Sequence, residues 1–188
     1  GGSKGDRFIS GKGDDHFILD NVVGTEASKP LFNNIDGGEG EDTLVLQNKS
    51  HFVYQDVHDI DNINQLLVKD ANWFEMPGGN PLLTVDKTVV ENGGTFSITG
   101  GTLESDVENE GLFAIGQIMA PDFKSKSMRT LQRSSEGPFE ATVTGNFHNK
   151  SGGAIDLSNR YAVTDYPIGN TLTITGDYRG EEGSSIYM

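Results

Sequence analysis

The sequence predicts an all-β chain: a right-handed parallel β-solenoid (β-helix) with short hairpin-like units towards the C-terminus. Three observations predict it. Short runs of four or five residues, mostly β-branched or aromatic, recur between glycine, asparagine and aspartate, which is the patterning of strands and turns. A loose repeat of alternating threonine and apolar residues closed by glycine returns at unequal intervals, as in a solenoid whose coils carry excursions of different length. Helical periodicity is nearly absent; the best candidate, Pro121–Gln132, rests on a first-turn proline ahead of a weakly amphipathic run. A β-sandwich is the alternative architecture.

The first third is rich in glycine and aspartate, and residues 1–61 hold 12 acidic against 5 basic side chains. Its sharpest motif is Gly37-Gly38-Glu39-Gly40-Glu41-Asp42-Thr43-Leu44-Val45, which fits G-G-x-G-x-D-x-U-x at every specified position. Ser10 to Ile18 fits with one lapse, and Gly1 to Ile9 fits with Lys4 in place of a glycine. The copies begin at residues 1, 10 and 37, in one nine-residue register, and only the first two follow each other directly. Glycines let such a turn curl its carbonyls inward while the aspartate adds a carboxylate. Ca²⁺ takes six to eight oxygens of this kind. Asp6, Asp15 and Asp42, with the turn Gly37, Gly38 and Gly40, are therefore the candidate metal residues. Glycine–aspartate turns that cap a solenoid without metal are the alternative.

The second stretch supplies the strands Gln65–Lys69, Leu82–Asp86, Thr95–Thr99 and Leu112–Ile115. Trp73 and Phe74 are expected to plug the core rather than to stack on a sugar. Thr95–Gly100, Ala141–Gly145 and Thr171–Gly176 share the threonine–apolar–glycine shape. Alternation places Phe96 with Ile98, and Leu172 with Ile174, on one buried face. A second strand follows each turn at Gly101–Leu103, Gly153–Leu157 and Ser184–Met188. Between them, residues 116–138 form a basic excursion, and Lys124, Lys126, Arg129 and Arg133 are the candidate partner-binding residues. A solvated surface loop is the plainer reading of this segment.

Composition narrows the function. The 188 residues carry a net charge of −14, which disfavours nucleic acid and anionic lipid as partners. No apolar run approaches the ~18 residues of a spanning helix, so membrane insertion of this segment is not expected. The chain has no cysteine, which excludes thiol catalysis, disulfides and zinc sites built on cysteine. No G-x-S-x-G, H-E-x-x-H or P-loop occurs. His16, His51, His58 and His148 are isolated in sequence, and Asp14/Asp15 and Glu181/Glu182 sit in glycine-rich turns, where carboxylates stay hydrated. A cluster of His58 with Asp56, Asp59 and Asp61 reads more simply as an acidic turn. No enzyme is expected. The start at Gly1-Gly2-Ser3 and the strand-like end at Ile186-Tyr187-Met188 suggest a piece of a longer protein.

Two resemblances follow from these motifs. Over about 45 residues the nonapeptides resemble the repeats-in-toxin family, whose β-rolls bind Ca²⁺ between stacked turns. More broadly, residues 58–113, with the run Val90-Glu91-Asn92-Gly93-Gly94-Thr95-Phe96-Ser97-Ile98-Thr99-Gly100, look like the C-terminal passenger region of Gram-negative autotransporters. The run Thr171-Leu172-Thr173-Ile174-Thr175-Gly176-Asp177-Tyr178-Arg179-Gly180 resembles that family's closing strand pair ahead of its outer-membrane β-barrel. Residues 116–138 depart from the family's glycine-rich coil. The resemblance implies two parts: nonapeptide-containing coils over 1–57 and a passenger stem over 58–188. It implies a non-catalytic virulence factor, surface-exposed or secreted, whose full chain is joined to an outer-membrane barrel. A secreted adhesin recognising a host-cell surface component through the basic excursion is one rival; a Ca²⁺-binding repeats-in-toxin protein is another.

Overall fold

Each short apolar run becomes one strand, and each glycine- or Asx-rich interval turns the chain through a corner. A computed structural model describes residues 6–24, 32–55, 58–75, 82–116, 138–158 and 169–188. Seven successive coils appear. The first holds β1 (Asp6–Ile9), β2 (His16–Asp20) and β3 (Val23–Gly24); the second β4 (Phe32–Asp36), β5 (Thr43–Gln47) and β6 (His51–Tyr54); the third β7 (Asp59–Asp61), β8 (Gln65–Val68) and β9 (Asn72–Glu75). In the fourth and fifth the first two strands merge into one, giving β10 (Leu82–Val90) with β11 (Thr95–Ile98), then β12 (Gly101–Asn109) with β13 (Leu112–Ile115). The sixth holds β14 (Glu140–Thr144), β15 (Phe147–Asn149) and β16 (Ala154–Asp156); the seventh β17 (Thr171–Ile174), β18 (Tyr178–Gly180) and β19 (Ser185–Tyr187).

Strands pair with the equivalent strands of the coils above and below, always in parallel, among the described residues. Three faces result: one begun by β1, one by β2, one by β3. This is a parallel β-solenoid, and the described residues contain no helix. The strand–turn–strand units near the C-terminus are present, but as corners. β14 and β15 flank Gly145 without pairing to each other; each pairs with the next coil instead. The candidate helix Pro121–Gln132 lies outside the described residues. Pairing also runs across the 57/58 boundary on every face, through β4–β7, β5–β8 and β6–β9, so those two parts share one stack.

Coil length sets the register. Phe17 lies opposite Leu44, 27 residues on, whereas Phe96 lies opposite Phe113 after only 17. Val143 lies opposite Ile174 after 31. The nine-residue spacing of the motifs is therefore one face plus one corner, and three such units make the first coil. Thr95–Gly100 is not equivalent to the later threonine repeats, because β11 lies on the third face and β14 and β17 on the first.

The interior is an aromatic column. Phe52, Trp73, Phe96 and Phe113 occupy one register position on the third face, with ring centroids 4.9, 6.5 and 5.1 Å apart in that order. Phe32 stacks on Phe52 at 5.1 Å, and Phe147 meets Phe113 edge-on at 5.0 Å. All six rings are wholly or almost wholly buried, and Trp73 and Phe74 are core residues as expected. Cover thins at both ends of the stack. Phe8, Ile9, Ile18 and Val23 are exposed in the first coil, as are Tyr178, Ile186 and Tyr187 in the last.

Candidate functional site

The corner between the first and second faces gathers most of the candidate residues. Ser10–Ile18 lies directly on Gly37–Val45: His16 pairs with Thr43 and Ile18 with Val45, and Lys12 bridges Glu39. The two motifs that meet are thus one whole coil apart in sequence, not the two that follow one another. Gly13 N–H donates to Glu39 O (2.7 Å), Glu39 N–H to Gly11 O (2.9 Å) and Thr43 N–H to Asp15 O (2.9 Å). The turn carbonyls therefore accept ladder bonds from the neighbouring coil. A Cβ at Gly37 would strike Asn62 O, at Gly38 it would strike Gly11 O and at Gly40 Gly13 O. Gly38 and Gly40 also have positive φ, 80° and 139°. Close coil stacking alone accounts for all three glycines.

The aspartate has a ladder role too. Asp42 is fully buried; its Oδ1 accepts Asp15 N–H at 2.8 Å, while its own N–H donates to Asn64 Oδ1 at 2.8 Å. Asn64 Nδ2 in turn donates to Asp86 Oδ2 at 3.1 Å. Further along, Asn146 N–H donates to Asp106 Oδ1 and Asp177 N–H to Asn146 Oδ1, each at 2.8 Å. An Asx residue stands at this corner in every coil: Asp15, Asp42, Asn64, Asp86, Asp106, Asn146 and Asp177. The column steps by one residue between Asp86 and Asp106, where the β10–β12 register shifts. Each side chain satisfies a corner N–H that no strand ladder can reach. This ladder escaped sequence reading because its intervals are unequal. Its signal is nonetheless present: one Asx immediately precedes each second-face segment.

One oxygen is left over. Asp42 Oδ2 is buried without a hydrogen-bond partner among the described residues, and it converges with Asn62 O above the α-carbon of Gly37. Two oxygens in one place are part of a Ca²⁺ shell, not the whole of it. Asp15 and Asp42 are brought together; Asp6 stands at the other end of β1, in register with Phe32. No group of three or more His, Asp or Glu side chains able to share a metal occurs among the described residues. His58 is buried within 5.0–5.8 Å of the rings of Phe32, Phe52 and Tyr54, whereas Asp56 lies outside the described residues. Lys124, Lys126, Arg129 and Arg133 also lie outside them.

Other polar groups meet across coils in ways sequence spacing did not reveal. On the second face Glu108 takes Lys87 Nζ at 2.9 Å and Lys150 Nζ at 3.3 Å, and these bonds lower its pKa. His148 Nε2 lies 2.7 Å from Glu181 Oε1. Glu181 also accepts Ser151 N–H, and the two bonds, the backbone one foremost, hold its carboxyl below the usual range. Inside the stack Glu75 is fully buried, and burial pushes its carboxyl up to about 8; the nearby Trp73 indole opposes this weakly. Compared with protein-family models, with curated proteins and with solved structures, the chain matches none of them significantly.

Proposed function

We propose that the chain is a non-catalytic passenger segment of an autotransporter virulence factor, surface-exposed on or secreted by a Gram-negative bacterium, with residues 58–188 as its stem. The observation that carries this reading is the coil stack itself. Every strand finds its hydrogen-bond partners in neighbouring coils, and the largest buried rings form one column through them. A coil gains stability only when its neighbour is already in place. A chain that emerges unfolded from an outer-membrane pore therefore benefits from a firm end on which coils settle in turn. The absence of cysteine fits such export, since periplasmic disulfides would obstruct an unfolded chain.

The reading is tested by surface display. The coding sequence after Met188 should specify about a dozen strands of alternating residues, the pattern of an outer-membrane barrel. Joined to that barrel, the chain should reach the cell surface in a protease-resistant form. A downstream sequence without that pattern overturns the proposal.

A second reading is Ca²⁺ binding at the first corner, favoured by the unpartnered buried Asp42 Oδ2. Asp42 and the Asn62 carbonyl would hold the ion, with water completing the shell. Calorimetric titration with Ca²⁺ tests it: heat present in the native chain and lost in Asp42→Ala is the expected result, and no heat in the native chain refutes it.

A further inference from the structure

The first face is broken at one place. β1, β4 and β7 form one ladder and β10, β12, β14 and β17 another, while β7 and the first half of β10 come together without pairing. The other two faces run unbroken through all seven coils. Two strand edges are therefore bare in the middle of the stack, Asp59–Asp61 on one wall and Leu82–Thr84 on the other. A bare edge is a template for another strand.

A cavity of about 330 Å³ lies between them, in the lower part of the range of ligand sites. Tyr54 and His58, both buried, line it. Tyr54 Oη donates to Leu82 O at 3.1 Å and ties the walls together at that point. Asp59, Asp61 and Thr84 are exposed, as is Leu82 at 52%. No lysine or arginine lines the cavity. His58 Nδ1 is engaged by the Gln55 backbone, and burial lowers the ring's pKa, so it stays neutral at pH 7. Asp61 Oδ2 receives a single neutral bond, from Asn34 Nδ2 at 3.2 Å. Two carboxylates thus face a polar cleft with no compensating cation among its lining residues.

We propose that this cleft binds a short extended peptide with the pattern basic–apolar–basic, which adds a strand to the open edge of β7. The period of a strand sets the pattern. Asp59 and Asp61 project on one side with Ile60 between them on the other, so a parallel or antiparallel partner presents its first and third side chains to the carboxylates. Leu82 offers apolar contact to the stems of those long basic side chains.

The test uses the full chain and a fluorescein-labelled peptide, Lys-Val-Lys-Val, followed by fluorescence anisotropy at low and high salt. Saturable binding that weakens with salt is expected. Asp59→Asn with Asp61→Asn should weaken it roughly tenfold, since two exposed ion pairs are lost. Thr84→Lys, on the opposite wall, should weaken it without touching either aspartate. The same peptide carrying N-methyl groups on alternate amides should not bind, because it cannot donate to a strand edge. Equal binding of the methylated peptide, or of the Asn variant, overturns the proposal, as does absence of binding at millimolar peptide. Circular dichroism of both variants confirms that their folds are intact.

Discussion

Glu75→Gln should remove most of the chain's loss of stability between neutral and mildly alkaline pH. Glu75 ends β9 with no exposed surface, and neither carboxyl oxygen has a hydrogen-bond partner among the described residues. Burial raises its pKa from 4.5 to about 8. An acid whose pKa is raised in the fold binds more protons folded than unfolded, so stability is lost as pH climbs from 4.5 to 8. His51 works in the opposite sense: burial depresses it from 6.5 to about 4, so its contribution is lost as pH falls through that window. His58 is depressed for the same reason. Between pH 4.5 and 6.5 the carboxyl and the imidazoles oppose each other. Above 6.5 Glu75 acts alone among these three, at about 1.4 kcal/mol per pH unit. The loss from pH 6.5 to 8 is therefore about 2 kcal/mol. The assay is urea unfolding followed by the fluorescence of Trp73, the chain's one tryptophan, at half-unit steps of pH. The native chain should lose stability over this range and Glu75→Gln should stay level. Parallel curves for the two proteins would refute the reasoning.

Phe113→Ala empties a position that stacks on Phe96 and meets Phe147, and should cost about 3–5 kcal/mol in the same unfolding assay. Gly145→Ala drives a Cβ into the Ser105 carbonyl of the preceding coil at a φ of 152°. It should destabilise the chain by about 1–3 kcal/mol, whereas the same change at Gly152, where φ is 83° but nothing lies within 4 Å, is relieved of the clash. Asp42→Ala removes the acceptor of Asp15 N–H and should speed amide exchange in residues 10–20 while leaving 138–158 unchanged. Added Ca²⁺ should slow exchange in residues 10–45 and not in 138–158; unchanged exchange at 10–45 leaves the motif with its stacking role alone.

The sequence carried the fold further than the site. Alternation along Leu82–Asp86 and Thr171–Ile174 marked strands because a β-strand repeats every two residues whatever its neighbours are. Phe96 and Ile98 came out buried as alternation required, but Ser97 is buried as well, its Oγ donating to Gly116 O at 2.7 Å. Which coils touch was not legible. That depends on excursion lengths, and a step of 27, 17 or 31 residues looks the same locally. Hence the second and third nonapeptides were not seen as stacked, and the pairing of His148 with Glu181, 33 residues later, was invisible. Glu75 gave no sign either: Trp73-Phe74-Glu75 reads as a strand ending in a solvated charge, and only the coils above and below bury it.

The account's central claim is that the later coils form first and the earlier ones settle on them. Pulsed hydrogen exchange during refolding, read by mass spectrometry, tests this most directly. Amides of β12 to β16 should gain protection in the earliest phase, and those of β2 and β5 in the last, after β8 and β10. Protection of β2 and β5 ahead of β12 to β16, or in the same phase, would contradict it.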